Sequence, residues 1–294
     1  MIERLRGVYA AITTPFREDG EPDFDRFVDR AGELLAEGCD GLNVLGTTGE
    51  ATSLTADVRE ALMRGVARSS LDGRQMLVGV GAAALGDTVR LTRVAAESGF
   101  AGALVLPPFY YKPVEDEGLL RFFEALVGAT RDAAIPLYLY NFPALSGVTY
   151  TPAVVQKLLT AFGSRIAGLK DSSGDINYAH QIAALSPTLD VFPSSEAHLL
   201  LARADGPFAG CISATANVTA ADCARAYRQG DAAALARATA VRGAFDGLPL
   251  VPAIKALVAR LTGDPAHART LPPFTPLSAE TLHALVERHA AASA

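Results

Sequence analysis

Lys170 ends an apolar run, Ile166-Ala167-Gly168-Leu169, and it is one of only four lysines in the chain. Of the others, Lys112 lies in a proline-flanked stretch, and Lys157 and Lys255 fall on segments of helical period. An amine at the end of a buried strand is expensive to hold charged, which favours the neutral form that can attack a carbonyl carbon. The plainer alternative is a lysine that snorkels to solvent. Tyr140 ends the preceding apolar run, where its phenol could carry a proton during carbinolamine formation and dehydration. Its alternative role is an aromatic core residue with the hydroxyl on a backbone carbonyl. Gly46-Thr47-Thr48-Gly49-Glu50 is a glycine-bracketed turn whose amides and hydroxyls suit a small carboxylate, although an ordinary strand-to-helix turn would read the same way. It lacks the lysine of a nucleotide P-loop, and Gly79-Val80-Gly81 is too short a glycine pattern to imply a dinucleotide.

These groups need elements that bring them together. Eight apolar runs of strand length occur at 7–12, 40–45, 76–81, 101–106, 136–141, 166–170, 190–193 and 208–213. Longer amphipathic segments separate them. The clearest is 23–37, where Phe24, Phe27, Val28, Ala31, Leu34 and Leu35 form one stripe that Asp23 can cap and Gly38 can end. Segments 86–98, 115–132 and 175–185 follow the same logic, and Thr151-Pro152 opens another helix. Strand–helix alternation repeated eight times predicts an α/β fold, a (β/α)8 TIM barrel. A doubly wound open sheet would normally carry a glycine fingerprint after its first strand, and GVYAAITTPF has none. The alanine-rich remainder, with a proline-rich break at 272–276, exceeds one closing helix, so we expect a catalytic barrel over 1–228 and a small C-terminal helical extension over 229–294. The carboxyl ends of the strands, where barrel enzymes place their chemistry, then carry Thr47, Thr48, Tyr110, Tyr111, Tyr140, Asn141, Lys170 to Ser173 and Ser213.

A net charge of −6 argues against a nucleic-acid partner, which requires a basic stripe. Cys39, Cys211 and Cys223 lack C-x-x-C spacing, and the five histidines lack ligand spacing, so neither a disulfide framework nor a metal site is expected. His198, after the seventh strand, is a candidate substrate contact. The amino terminus does not read as a signal peptide, and no apolar run reaches spanning length, so a cytoplasmic location is expected.

The motifs GTTGE (46–50), PPFYYKP (107–113), YNFPALSG (140–147), GLKDSSGD (168–175) and GCISATAN (210–217), in this order and spacing, resemble the dihydrodipicolinate synthase and N-acetylneuraminate lyase superfamily over nearly the whole chain. The resemblance implies a class I lyase, assembled as a homotetramer (dimer of dimers), with no organic cofactor or metal. It assigns Lys170 to the Schiff base with a 2-oxo acid and Tyr140 to proton relay. Thr47 and Thr48 match the carboxylate-binding pair, and the Thr48 hydroxyl is expected to link Tyr140 to Tyr110 of the neighbouring subunit. Ile212 falls beside the bound pyruvate.

The departures bear on substrate. Leu145 stands where the synthases carry an arginine for the aldehyde's carboxylate, and PALSG looks instead like the neuraminate lyases. Ser194-Ser195-Glu196-Ala197-His198 retains only part of those enzymes' polar set. Ala56, Arg59 and Ala83 replace the histidines and asparagine of the lysine-inhibited synthases, so feedback by lysine is not expected. The expected reaction is aldol cleavage, condensation or dehydration of pyruvate or a 2-keto-3-deoxy acid, with Leu145, Ser146, Ser195 and His198 choosing the substrate. The alternatives are a 4-hydroxy-tetrahydrodipicolinate synthase and a non-catalytic 2-oxo acid binder.

Overall fold

A computed structural model describes residues 4–203 and 206–293. Eight parallel strands run β1 (Gly7–Ala11), β2 (Gly41–Val44), β3 (Met76–Gly79), β4 (Gly102–Val105), β5 (Leu137–Asn141), β6 (Ile166–Asp171), β7 (Asp190–Pro193) and β8 (Gly210–Ser213). They pair in the order β7-β6-β5-β4-β3-β2-β1-β8, and Ala209 donates across the remaining seam to the Val191 carbonyl at 2.8 Å. The expected barrel is therefore present. Its strands are mostly shorter than the apolar runs because the last residues of several runs leave the ladder to build the mouth. In β2, for example, Leu45 already takes a left-handed conformation, φ 52°.

The helices are α1 (Phe24–Ala36), α2 (Ala56–Arg68), α3 (Leu85–Glu97), α4 (Asp116–Ala129), α5 (Pro143–Ser146), α6 (Pro152–Phe162), α7 (Ile176–Ala183) and α8 (Ala216–Gln229), followed by α9 (Ala232–Gly243), α10 (Leu250–Thr262) and α11 (Ala279–Ser293). Asp23 caps α1 by accepting from the Arg26 amide, and Thr151 caps α6 by accepting from the Val154 amide. Helix α2 does not stand out in the sequence because charged residues dilute its apolar stripe, leaving Leu62, Met63 and Val66 to bury it.

Alternation along each strand divides the core into two layers. Val8, Ala10, Leu42, Val44, Val78, Leu139 and Leu169 face the surrounding helices. Tyr9, Leu77, Leu104, Tyr138, Tyr140, Phe192 and Ile212 fill the barrel. Leu169 faces outward, so Lys170, the next residue, points into the barrel. A third cluster, including Val241, Phe245, Ile254, Leu257 and Leu285, holds α9, α10 and α11 together as the C-terminal helical extension.

The extension is anchored to the barrel by polar bonds. Lys255 of α10 is fully buried and pairs with the fully buried Glu50 at 2.5 Å, while donating to the Thr14 carbonyl at 2.8 Å. Its ammonium also lies 4.1 Å from the Phe16 ring centroid. The second Glu50 oxygen accepts from the Leu271 amide at 2.7 Å. Glu50 is itself left-handed, φ 55°, so the extension fixes the last residue of the GTTGE turn in a conformation that an L-residue seldom adopts.

Candidate active site

The site is assembled from strand ends. Lys170 is 3% exposed, and its Nζ lies 4.5 Å from the centroid of the Tyr140 ring. The two residues are register partners on β6 and β5, which places them side by side on the inner face. Their outward neighbours, Asn141 and Asp171, are also partners and bond at 2.8 Å. Asp171 further accepts from the Ser173 amide at 3.1 Å and the Ser173 hydroxyl at 2.8 Å. Asn141 Oδ1 accepts from the Tyr150 amide at 3.1 Å. This network pins the ends of β5 and β6, and through the backbone it limits the freedom of Tyr140 and Lys170. Burial raises the Asp171 carboxyl above the usual range, against the three donors that lower it.

Opposite this pair, the GTTGE turn brings a hydroxyl to the phenol. The Thr47 Oγ1 to Tyr140 Oη distance is 3.2 Å. This corrects the expectation that Thr48 makes that link, since successive residues of the turn project in different directions. Thr47 faces the barrel mouth, and Thr48 is buried within the turn. Gly49 backs the turn, with its carbonyl accepting from Thr14 Oγ1 at 2.9 Å. Gly79 lies so close to the Leu45 carbonyl that an added Cβ would sit 2.0 Å from that oxygen. The turn therefore rests directly on the end of β3.

The remaining expected residues are dispersed. Ile212 lies in the barrel interior cluster with Tyr140 and Phe192. Tyr110 is 75% exposed and packs edge-on to Tyr111 at 5.2 Å, so its hydroxyl forms no bond to the Thr47–Tyr140 pair within this chain. Leu145, on α5, is 64% exposed. Ser146 is turned away from a substrate-selecting role. Its hydroxyl bonds the Phe142 and Val148 carbonyls at 3.0 Å each and accepts from the Val148 amide, tying the end of the short α5 turn to the chain that leaves it.

Ser195 and His198 line a cleft of about 230 Å³ at the ends of β6 and β7, together with Asp171, Asp175, Ser194 and Arg242. Ser195 also caps the short helix Glu196–Ala202 through the Ala197 amide. Burial lowers the His198 imidazole, and His180 and Arg242 act in the same direction. A wider cleft of about 640 Å³ between α1 and α2 contains none of the candidate residues.

Three features of the mouth escape sequence reasoning. Arg242, on α9, reaches back to the barrel. Its Nη1 donates to Glu196 at 2.9 Å and to the Ser194 carbonyl and Thr215 at 3.3 Å each. Glu196 is completely buried and also accepts from Ser213 at 2.9 Å and from Thr215. No local signal marks Arg242, which sits in an alanine-rich helix far along the chain. Second, the Lys255–Glu50 pair joins residues whose spacing carries no pattern. Third, Arg59 on α2, which the sequence marks only as a departure from the lysine-inhibited synthases, is 3% exposed and donates to the Gly79 and Gly81 carbonyls at 2.8 and 2.9 Å. Among the described residues, no group of histidine, cysteine and carboxylate side chains could hold a metal ion, and no helix is long and apolar enough to cross a membrane.

Comparison with known proteins adds independent findings. The dihydrodipicolinate synthetase family matches residues 4–292. An uncharacterized DapA-like lyase of Chloroflexus aurantiacus is 35% identical over 286 residues, covering 95% of this chain and 94% of that protein. YagE of Escherichia coli K12, a putative 2-dehydro-3-deoxy-D-gluconate aldolase, is 32% identical, with 92% and 91% covered. The crystal structure of YagE in complex with pyruvate superposes with a TM-score of 0.86 at 28% identity, covering 98% of each chain. The dihydrodipicolinate synthase of Agrobacterium tumefaciens superposes with a TM-score of 0.89 at 27% identity, covering 97% of this chain and 98% of that one.

Proposed function

On the premise that this chain belongs to the dihydrodipicolinate synthetase family and is a lyase, we propose that it acts through a Schiff base on Lys170, taking pyruvate or a 2-keto-3-deoxy acid as substrate. One observation carries this reading: the buried Lys170 amine lies against the Tyr140 ring, and the Tyr140 hydroxyl is within bonding distance of Thr47.

In this reading the neutral Lys170 amine adds to the carbonyl carbon of the 2-oxo acid, forming a carbinolamine. Tyr140 donates a proton to the departing hydroxyl, water leaves, and an iminium remains. The iminium accepts the electron pair when the bond beyond C3 breaks, or when a C3 proton is removed ahead of dehydration. Condensation is the reverse of the cleavage. Thr47 bonds Tyr140 and holds the phenol in position, while the amides of Thr47 and Thr48 orient the carboxylate. Ile212 forms the wall beside the methyl carbon.

Tyr110 completes the relay from a neighbouring subunit in this proposal. Its high exposure in the single chain is what a residue contributed across an interface would display. A homotetramer, a cytoplasmic location and division of the chain into a barrel (1–228) and an extension (229–294) belong to the same reading. Ser195 and His198 are proposed to meet the second substrate. Leu145 cannot pair a carboxylate, which favours an aldolase or dehydratase over condensation with an aldehyde that carries an acid group.

The test is borohydride trapping with pyruvate on the wild type and Lys170→Ala, read by intact and peptide mass spectrometry. A pyruvate-sized adduct on Lys170, lost in the variant, is expected. A folded wild-type protein that forms no adduct would remove the Schiff-base mechanism.

A further inference from the structure

Arg59 is a buried cation without a buried anion. Its guanidinium bonds two backbone carbonyls at the end of β3. No described carboxylate comes within ion-pair distance, and Asp87 on α3 acts on it only through space. Glu50, the nearest buried acid in sequence, is committed to Lys255. Burial pulls the Arg59 guanidinium down to about 10, a sign of how poorly its charge is solvated. A methionine or leucine would fill this space without a desolvation cost, so the retained charge calls for a counter-charge.

The position of Arg59 indicates where that counter-charge arrives. Arg59 lines one small cavity with Gly46 and Thr47 of the proposed carboxylate-binding turn and with Tyr140 of the relay, beside Leu45 and Gly79. Lys170, the buried amine on the Tyr140 ring, has to be neutral to attack a carbonyl, so it does not serve as the counter-charge. We propose that Arg59 supplies the buried counter-charge for the carboxylate of the 2-oxo acid, acting through space from behind the Thr47–Thr48 turn. The inference rests on the Schiff-base reading of the site. It adds that electrostatic binding of the anion comes from α2, while the turn supplies direction through its amides. At low effective dielectric, a cation one layer behind the hydrogen-bonding groups still attracts an anion strongly.

Arg59 also steadies the end of β3, so the experiment must separate charge from support. Pyruvate and its neutral methyl ester present the same carbonyl to Lys170 and differ in the carboxylate charge. Binding of each is measured by calorimetry, and adduct formation by borohydride trapping, for the wild type, Arg59→Met and Arg59→Lys. We expect Arg59→Met to weaken pyruvate binding by about tenfold or more while moving methyl pyruvate less than about twofold, with Arg59→Lys within about threefold of wild type for both. An equal loss for the two ligands, or no loss for either, overturns the proposal and leaves Arg59 as a support for β3. If Arg59→Met does not fold, Arg59→Gln with the same ligand pair decides. The two readings fail separately. Trapping on Lys170 with unchanged pyruvate affinity in Arg59→Met defeats the counter-charge alone. Charge-selective loss of binding without any wild-type adduct defeats the Schiff base alone.

Discussion

Replacing Lys255 with alanine strands a carboxylate in the protein interior. Both Lys255 and Glu50 side chains are completely buried and lie 2.5 Å apart, so bulk solvent does not reach the carboxylate that loses its partner. Burial draws the Lys255 ammonium down, to about 8, while Glu50 holds it up. The pair is thus a balance between desolvation and attraction, and cutting one side leaves the desolvation of the other uncompensated. Breaking such a pair costs about 3–5 kcal/mol, or a fall on the order of 10 °C in Tm. Lys255→Ala also loses the bond to the Thr14 carbonyl and the contact with Phe16, which places the expected loss toward the upper end. Urea and thermal denaturation of Lys255→Ala and of the double variant Glu50→Gln/Lys255→Met provide the measurement. The double variant removes both charges, and glutamine still accepts from the Leu271 amide, so it should recover more than half of the loss. A double variant no more stable than the single one would refute the reasoning. Because Glu50 ends the GTTGE turn, Lys255→Ala should also raise the pyruvate concentration needed for half-maximal trapping.

Arg242→Met removes the cation from the fully buried Glu196, at a cost of about 2 kcal/mol. That value is discounted because Arg242 is one-third exposed and water would reach the vacancy. The variant should retain pyruvate trapping and lose turnover of the longer substrate, and unchanged turnover would separate α9 from the site. Asp171 provides a pH test. Its folded carboxyl is raised by burial, so between the ordinary carboxylate range and the raised value the folded state holds a proton that the unfolded state has released. Its contribution to stability is therefore full below about pH 4 and is lost as pH rises through the folded value. Denaturation at a series of pH values should show the stability of the wild type relative to Asp171→Asn falling from about pH 4 upward, and a difference that rises with pH would contradict the assignment.

The sequence alone determined the eight-strand alternation, the strand ends and the polar residues placed on them. Short apolar runs separated by amphipathic segments are consistent with few architectures, and burial alternates along a strand with a fixed period of two. That is why Lys170 and Tyr140 fall at one mouth on sequence grounds alone, and why the five motifs in order carry the family resemblance. Tertiary structure decided which atoms meet. It assigned the hydroxyl opposite Tyr140 to Thr47 rather than Thr48, because direction within a turn depends on backbone dihedrals that two adjacent threonines do not reveal. It turned Ser146 inward to satisfy its own short helix. It also brought Arg59, Arg242 and Lys255 to the mouth from helices whose local patterns predict only packing. Each of these cations takes its role from partners distant in the chain or from backbone carbonyls. Such contacts arise when strand order and helix docking close the barrel, and no local spacing encodes them.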